Sequence, residues 1–370
     1  MRWHLMGMLL AWAGGVCAQT ATLQMEVPQA PVAVRVGAVD HLVYELHLRN
    51  SGTEPLTIGS VEVLAGDPAR RLLLLEGDTL CKQFEALEPP ARKRPACQLP
   101  ASGLALVYFW QPVSIAPGTR LVHRVATDTG AVEGGAATVN PRAPVALSPP
   151  LRGGPWVAVY DPTMRFGHRQ ATFSHAGRRI IPARFAVDLI RLDREGRPGA
   201  SLQDFERWHG LGADVLAVAD GVIAKVRDGR ADELRADAPS RPGATADDVA
   251  GNYVALDLGG GRHAFYEHLR SGSILVKPGQ RVARGDVIAR LGRSGINSSG
   301  PHLHFHVADT DSTLHAEGLP FVWMRFEALG RYASVDDAER GVAWPRPPGC
   351  CGAMTMAHPE PNSVLLFDER

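Results

Sequence analysis

The sequence has no charge imbalance: its 370 residues carry 39 basic and 39 acidic side chains, for a formal net charge of +0. This argues against a nucleic-acid partner, and any electrostatic partner would need a local patch. Beyond the N-terminus there is no run of about 18 apolar residues, so a span through a bilayer is not expected in the mature chain. Cysteine is scarce, and the five present (Cys17, Cys81, Cys97, Cys350 and Cys351) show no C-x-x-C spacing, so any metal must be held by other ligands. What is abundant is glycine and proline. Gly 39 and Pro 28 make up about 18% of the chain against a usual ~12%. That composition disfavours long helical bundles and favours short strands joined by turns.

Residues 1–18 read as a signal peptide. Arg2 precedes an apolar stretch from Leu5 to Val16, and Val16-Cys-Ala places small residues where a signal peptidase cuts. The mature protein is then exported, to the periplasm or beyond. Four cysteines remain after cleavage, an even number that suits disulfides in an oxidising compartment. A bond between Cys81 and Cys97 would close a loop of about 15 residues, worth roughly 3 kcal/mol in the chain-entropy model.

Four segments follow. Residues 19–127 alternate apolar and polar positions over Val32–Val36, Leu42–Leu48 and Ser60–Leu64, with turn chemistry at Asn50-Ser-Gly-Thr-Glu-Pro. They predict a small antiparallel sandwich of immunoglobulin-like type. Its isolated histidines, His41, His47 and His123, read as structural. Residues 128–152, rich in Gly, Ala and Pro, read as a linker. Residues 153–330 form a second β-rich domain with a polar insertion at 228–250 and a short helix over Met324–Gly330. Residues 331–370 read as a tail, irregular or wrapped on the core. The predicted fold class is thus mainly β.

Histidine is concentrated in the second domain. In Gly300-Pro-His-Leu-His-Phe-His-Val, alternate residues of a strand share a face. His302, His304 and His306 then point one way, while Leu303, Phe305 and Val307 enter a core. Asp188 sits in the apolar run Arg184-Phe-Ala-Val-Asp-Leu-Ile, where a carboxylate is costly unless paired, hydrogen-bonded or bound to a metal. His268 falls in Ala264-Phe-Tyr-Glu-His-Leu, again read as a strand. The glycine-rich stretch from Gly292 to Gly300 lacks a P-loop lysine and a following helix, so it reads as a groove wall rather than a phosphate cradle.

Tyr266-Glu-His-Leu, Val276-Lys-Pro-Gly-Gln-Arg-Val-Ala-Arg-Gly-Asp-Val-Ile-Ala and Leu291-Gly-Arg-Ser-Gly-Ile-Asn-Ser-Ser-Gly-Pro-His-Leu-His-Phe-His together resemble the lysostaphin-type (LytM-domain) zinc metallopeptidases. The likeness extends over roughly 155–330. It implies an antiparallel β-rich peptidase fold with a groove, a Zn2+ cofactor and hydrolysis of peptide bonds, with peptidoglycan cross-links as substrate. By the same resemblance Asp188 and His304 are zinc ligands, and His302 and His268 are catalytic histidines that assist an activated water. The family's usual first zinc histidine lies four residues before the aspartate, where this chain has Arg184. The third ligand is then expected from upstream, from His168 or from His175. His168 is favoured because His175 sits in a turn-like Ser-His-Ala-Gly. His306 stands where the family often has glutamate. A second reading is an inactive module of the same fold that binds or regulates a partner cell-wall hydrolase.

Overall fold

The alternation over Val32–Val36 becomes a strand whose buried positions also alternate. The same pattern lengthens in Leu56–Ala65, whereas Val39–Asn50 buries the consecutive residues Leu42 to Leu46. The computed structural model of the protein describes residues 22–88, 97–162, 167–175, 178–235, 246–296, 300–346 and 351–369. The expected signal peptide, 1–18, lies outside the described residues. Helices are short: Gly77–Lys82, Ala246–Ala250 and Val335–Glu339. Among the described residues no helix is long and apolar enough to cross a membrane.

The chain forms two compact units that interleave in sequence. One holds Met1–Pro28, Leu46–Val107 and Leu121–Ala136; the other holds Gln29–Glu45, Tyr108–Arg120 and Ala137–Arg370. The sequential division at 127 and 153 therefore misses two segments, Gln29–Glu45 and Tyr108–Arg120. The reason is where their side chains go. Val32, Val34, Val36 and Val43 bury themselves in one cluster with Trp156, Phe305 and Phe321.

In the first unit, Leu56–Ala65 pairs antiparallel with Arg70–Glu76 on one side and with Arg120–Thr127 on the other. Val61 and Val63 are fully buried on it. Cys81, in the helix Gly77–Lys82, forms the expected disulfide with Cys97. Cys351, in the other unit, is also disulfide-bonded.

The second unit is built on an eleven-stranded sheet. From one edge the order is Val145–Leu147, Phe321–Arg331, Ser363–Leu366, Trp156–Val159, Val187–Arg191, Leu303–Ala308, His263–Glu267, Tyr253–Asp257, Gly221–Arg227 and Arg281–Val282, with Gly352–Ala357 also on Phe321–Arg331. Neighbours are antiparallel except Val145–Leu147, which runs parallel to Phe321–Arg331.

Three expectations are corrected here. Residues 128–152 are not an unpaired linker, because Gly130–Thr138 and Val145–Leu147 are strands. Met324–Gly330 lies in the strand Phe321–Arg331 instead of a helix, since its edges bond Gly352–Ala357 and Ser363–Leu366. The tail supplies both of those strands, and Ser363–Leu366 enters the sheet interior between Phe321–Arg331 and Trp156–Val159. The polar insertion carries the short helix Ala246–Ala250, and its residues 236–245 lie outside the described residues.

Candidate metal centre

Two neighbouring strands supply the core of the site. Val187–Arg191 and Leu303–Ala308 pair so that Asp188 lies directly opposite His304. Residues opposite one another in a ladder share a face. His302, His304 and His306 therefore gather on the Asp188 side, whereas Leu303, Phe305 and Val307 are fully buried in the main core. The apolar alternation fixes the register, because a slip of one residue would drive the imidazoles into that core.

His168 approaches from outside this ladder. It opens the 3₁₀ turn His168–Gln170, and its Nε2 lies 3.1 Å from Asp188 Oδ2. The ring also donates to the Ala186 carbonyl. His304 Nδ1 lies 2.8 Å from Asp188 Oδ1. One donor atom each from His168, Asp188 and His304 fall within 4.8 Å of one another. Zinc bonds of ~2.0–2.2 Å in a tetrahedron set donors about 3.3 Å apart, so this set can close on one ion and leave a position open. Two imidazoles and a carboxylate are also a zinc-type donor set. His175, by contrast, is exposed at the end of Phe173–His175 and stacks on His315 at 4.5 Å, outside the group.

His302 and His268 flank the three donors. His302 Nδ1 donates to the Gly300 carbonyl at 2.8 Å, leaving Nε2, 3.7 Å from Asp188 Oδ1, as the free lone pair. His268 follows the strand His263–Glu267 instead of lying in it. Glu267 stands opposite His304, so simple alternation would send His268 to the other face. Its φ of 61° breaks that alternation. The ring ends 4.8 Å from that of His302 and 5.9 Å from that of His304. A left-handed backbone costs a non-glycine residue about 1–2 kcal/mol. His268 Nδ1 donates to the Ser294 carbonyl at 2.9 Å. Ser294 is itself held by Asn252 and the Leu269 carbonyl.

Burial would raise the Asp188 pKa, but electrostatic attraction to the His168 and His302 rings and the bonds from His168 and His304 outweigh it and hold the carboxyl well below its usual range. Burial also depresses His304, against the pull of Asp188. His268 is pushed well down by burial and by the charges of His302 and His304. Glu267, which sequence reasoning missed, is pushed up to about 8 by burial and by Asp188. His306 is 2% exposed; it stacks on Phe265 at 4.7 Å, and neither ring nitrogen has a hydrogen-bond partner among the described residues. Arg184 is held by Glu45 and Glu317, each at 2.9 Å.

Residues 207–315 match the profile of Peptidase family M23. His268, His302 and His304 fall inside this span; His168 and Asp188 precede it. Among curated proteins, an uncharacterized metalloprotease of Haemophilus influenzae is 39% identical over 98 residues, 26% of this chain and 16% of that protein. The peptidoglycan DD-endopeptidase ShyA of Vibrio cholerae is 45% identical over 97 residues, 26% of this chain and 18% of its own length. The matches thus cover under a fifth of those relatives. Among solved structures, the catalytic domain of lysostaphin from Staphylococcus simulans aligns at 21% identity and a TM-score of 0.23, over 36% of this chain and 74% of that one.

Proposed function

We propose that this chain, which carries a peptidase family M23 domain over residues 207–315, is an exported zinc metallo-endopeptidase that hydrolyses peptide cross-links of peptidoglycan. The observation that carries the reading is the convergence of His168, Asp188 and His304 donor atoms within 4.8 Å beside two further imidazoles. The named activity of the Vibrio relative supports the substrate class. Peptidoglycan lies outside the cytoplasmic membrane, so the reading requires export. The Cys81–Cys97 disulfide is consistent with an oxidising compartment.

His168, Asp188 and His304 would hold the zinc, with Asp188 ionised. Bound zinc would supply a Lewis acid that polarises the scissile carbonyl and acidifies a water. The rest of the chemistry falls to the chain. His302 and His268 each spend Nδ1–H on a backbone carbonyl, from Gly300 and Ser294 respectively. That fixes their tautomers and leaves both Nε2 lone pairs available. One Nε2 takes the proton of the attacking water, and the resulting imidazolium returns it to the leaving amine. The other, once protonated, donates a hydrogen bond to the developing oxyanion.

The test is cleavage of purified cross-linked peptidoglycan by zinc-loaded protein, with the fragments resolved by mass spectrometry. New amino termini within the cross-links are expected, with loss of activity on chelation. A folded, zinc-loaded protein that releases no such fragments overturns the peptidase reading in favour of an inactive regulatory module.

A further inference from the structure

A ligand on a three-residue turn needs something to hold the turn, because no ladder does so. His168–Gln170 has no side-chain cap at its start. Its anchor is the next residue. Arg169 is 3% exposed, and its Nε donates to Glu45 Oε1 at 2.8 Å. Its Nη2 donates to the carbonyls of Tyr44 at 2.6 Å and Phe109 at 2.7 Å. The guanidinium also lies over the rings of Tyr108 and Trp110, at 5.5 and 5.7 Å.

The second oxygen of Glu45 is also engaged. Glu45 Oε2 accepts from Arg184 Nε at 2.9 Å. Arg184 Nη2 donates to Glu317 Oε2 at 2.9 Å, and its Nη1 to the Gly318 carbonyl at 3.1 Å. Glu317 Oε2 in turn accepts from the Ile181 amide at 3.3 Å. Arg169, Glu45, Arg184 and Glu317 are all buried and form a chain of alternating charge. Such a chain is a poor route to stability, since apolar packing of the same volume often does as well or better. Its value lies in fixed geometry: a guanidinium is a rigid fork, and each of the two Glu45 oxygens has its own arginine.

The geometry matters because of what each end carries. Arg169 is bonded directly to His168, and on a 3₁₀ turn neighbouring side chains diverge by about 120°. Arg184 precedes Asp188 by four residues. Resting on the metal-centre reading above, we propose that Glu45 is a positioning residue for the zinc site. Its two oxygens clamp Arg169 and Arg184 and thereby set the His168 imidazole against the Asp188 carboxylate. The arginine at the family's usual ligand position is then the far jaw of the clamp that delivers the replacement ligand.

The test is zinc affinity of the full chain, measured by competition with a chromogenic chelator, in a double-mutant cycle. Glu45→Gln keeps the shape and removes the charge. It should weaken zinc binding about 10–100-fold, the range for residues that orient a ligand. In a His168→Ala background the same change should alter affinity by less than about twofold, because the ligand it positions is already gone. Equal losses in both backgrounds would show a merely structural role and overturn the inference. If Glu45→Gln does not fold, Arg169→Lys, which keeps the charge and loses the fork, replaces it in the same cycle. Wild-type protein that binds no zinc would defeat the metal-centre reading itself; wild-type binding that neither variant weakens would defeat only the clamp.

Discussion

His123 and His304 are both buried imidazoles on antiparallel strands, one in each compact unit, with exposures of 0% and 8%. His123 donates its Nδ1 proton to the Gly135 carbonyl at 2.9 Å. Burial, only partly offset by bonds to the Gly135 and Gly134 carbonyls, pushes it down to about 4. His304 meets Asp188 across the ladder, with the His168 ring centroid 4.9 Å from its own. The difference lies in the company each ring keeps. Beside backbone carbonyls, a buried histidine is a neutral packing element. A carboxylate and a second imidazole at ligand spacing give the same residue the company that the proposed zinc site requires.

Exchanging the consequences of the two residues would break that contrast. His304→Ala or Asp188→Ala should weaken zinc binding beyond the ~10–100-fold loss expected of a supporting residue, and should abolish peptide cleavage. His123→Ala should leave zinc affinity within about twofold of wild type. Chelator competition on the three proteins decides it. Equal loss from His123→Ala and His304→Ala would remove the distinction.

The contrast sharpens within the site itself. His302→Ala and His268→Ala should retain zinc, because each residue spends one nitrogen on a carbonyl and lies beside the three donors instead of among them. Turnover should still fall by about 10²–10⁴, the usual range for losing a general acid or base. Zinc content and cleavage rate measured on the same preparation separate the two effects. Loss of zinc from His302→Ala would move that residue into the ligand set.

The part of this site that the sequence made legible is the part carried by strands. The alternation from His302 to Val307 shows on the page which residues share a face, and the structure keeps that division between the Asp188 side and the core. Asp188 announced itself by standing charged in an apolar run. Residues that leave the ladder were harder to read. His168 could only be ranked above His175, since spacing alone places neither. His268 needs a left-handed backbone to reach the site, which no period reveals. Glu45 is one charged residue of a strand, more than a hundred positions from Arg169, and only the closed fold shows that both its oxygens are occupied. The strands in 128–152 and in the tail were hidden for a related reason. Gly130–Thr138 is a small-residue segment with little apolar contrast, and Val145–Leu147 is set by a partner far along the chain, Phe321–Arg331.

The smallest expected effect tests the other half of the comparison, that His123 matters to stability through its charge state alone. An unfolded histidine titrates near 6.5, whereas His123 in the fold is pushed down to about 4. Between those values the unfolded chain binds a proton that the folded chain refuses. Stability from the neutral ring is therefore fully present above pH 6.5 and is lost as pH falls towards 4. At ~1.4 kcal/mol per pH unit the loss is at most about 3.5 kcal/mol. His123→Gln cannot titrate, so its urea midpoint should fall less steeply between pH 7 and pH 4 than that of wild type. His358, pushed down to about 4 by burial, is unchanged in both proteins and drops out of the difference. Parallel pH profiles for the two would mean that the His123 ring is solvated or charged in the fold, and the distinction between a packing histidine and a ligand histidine would have to rest on metal affinity alone.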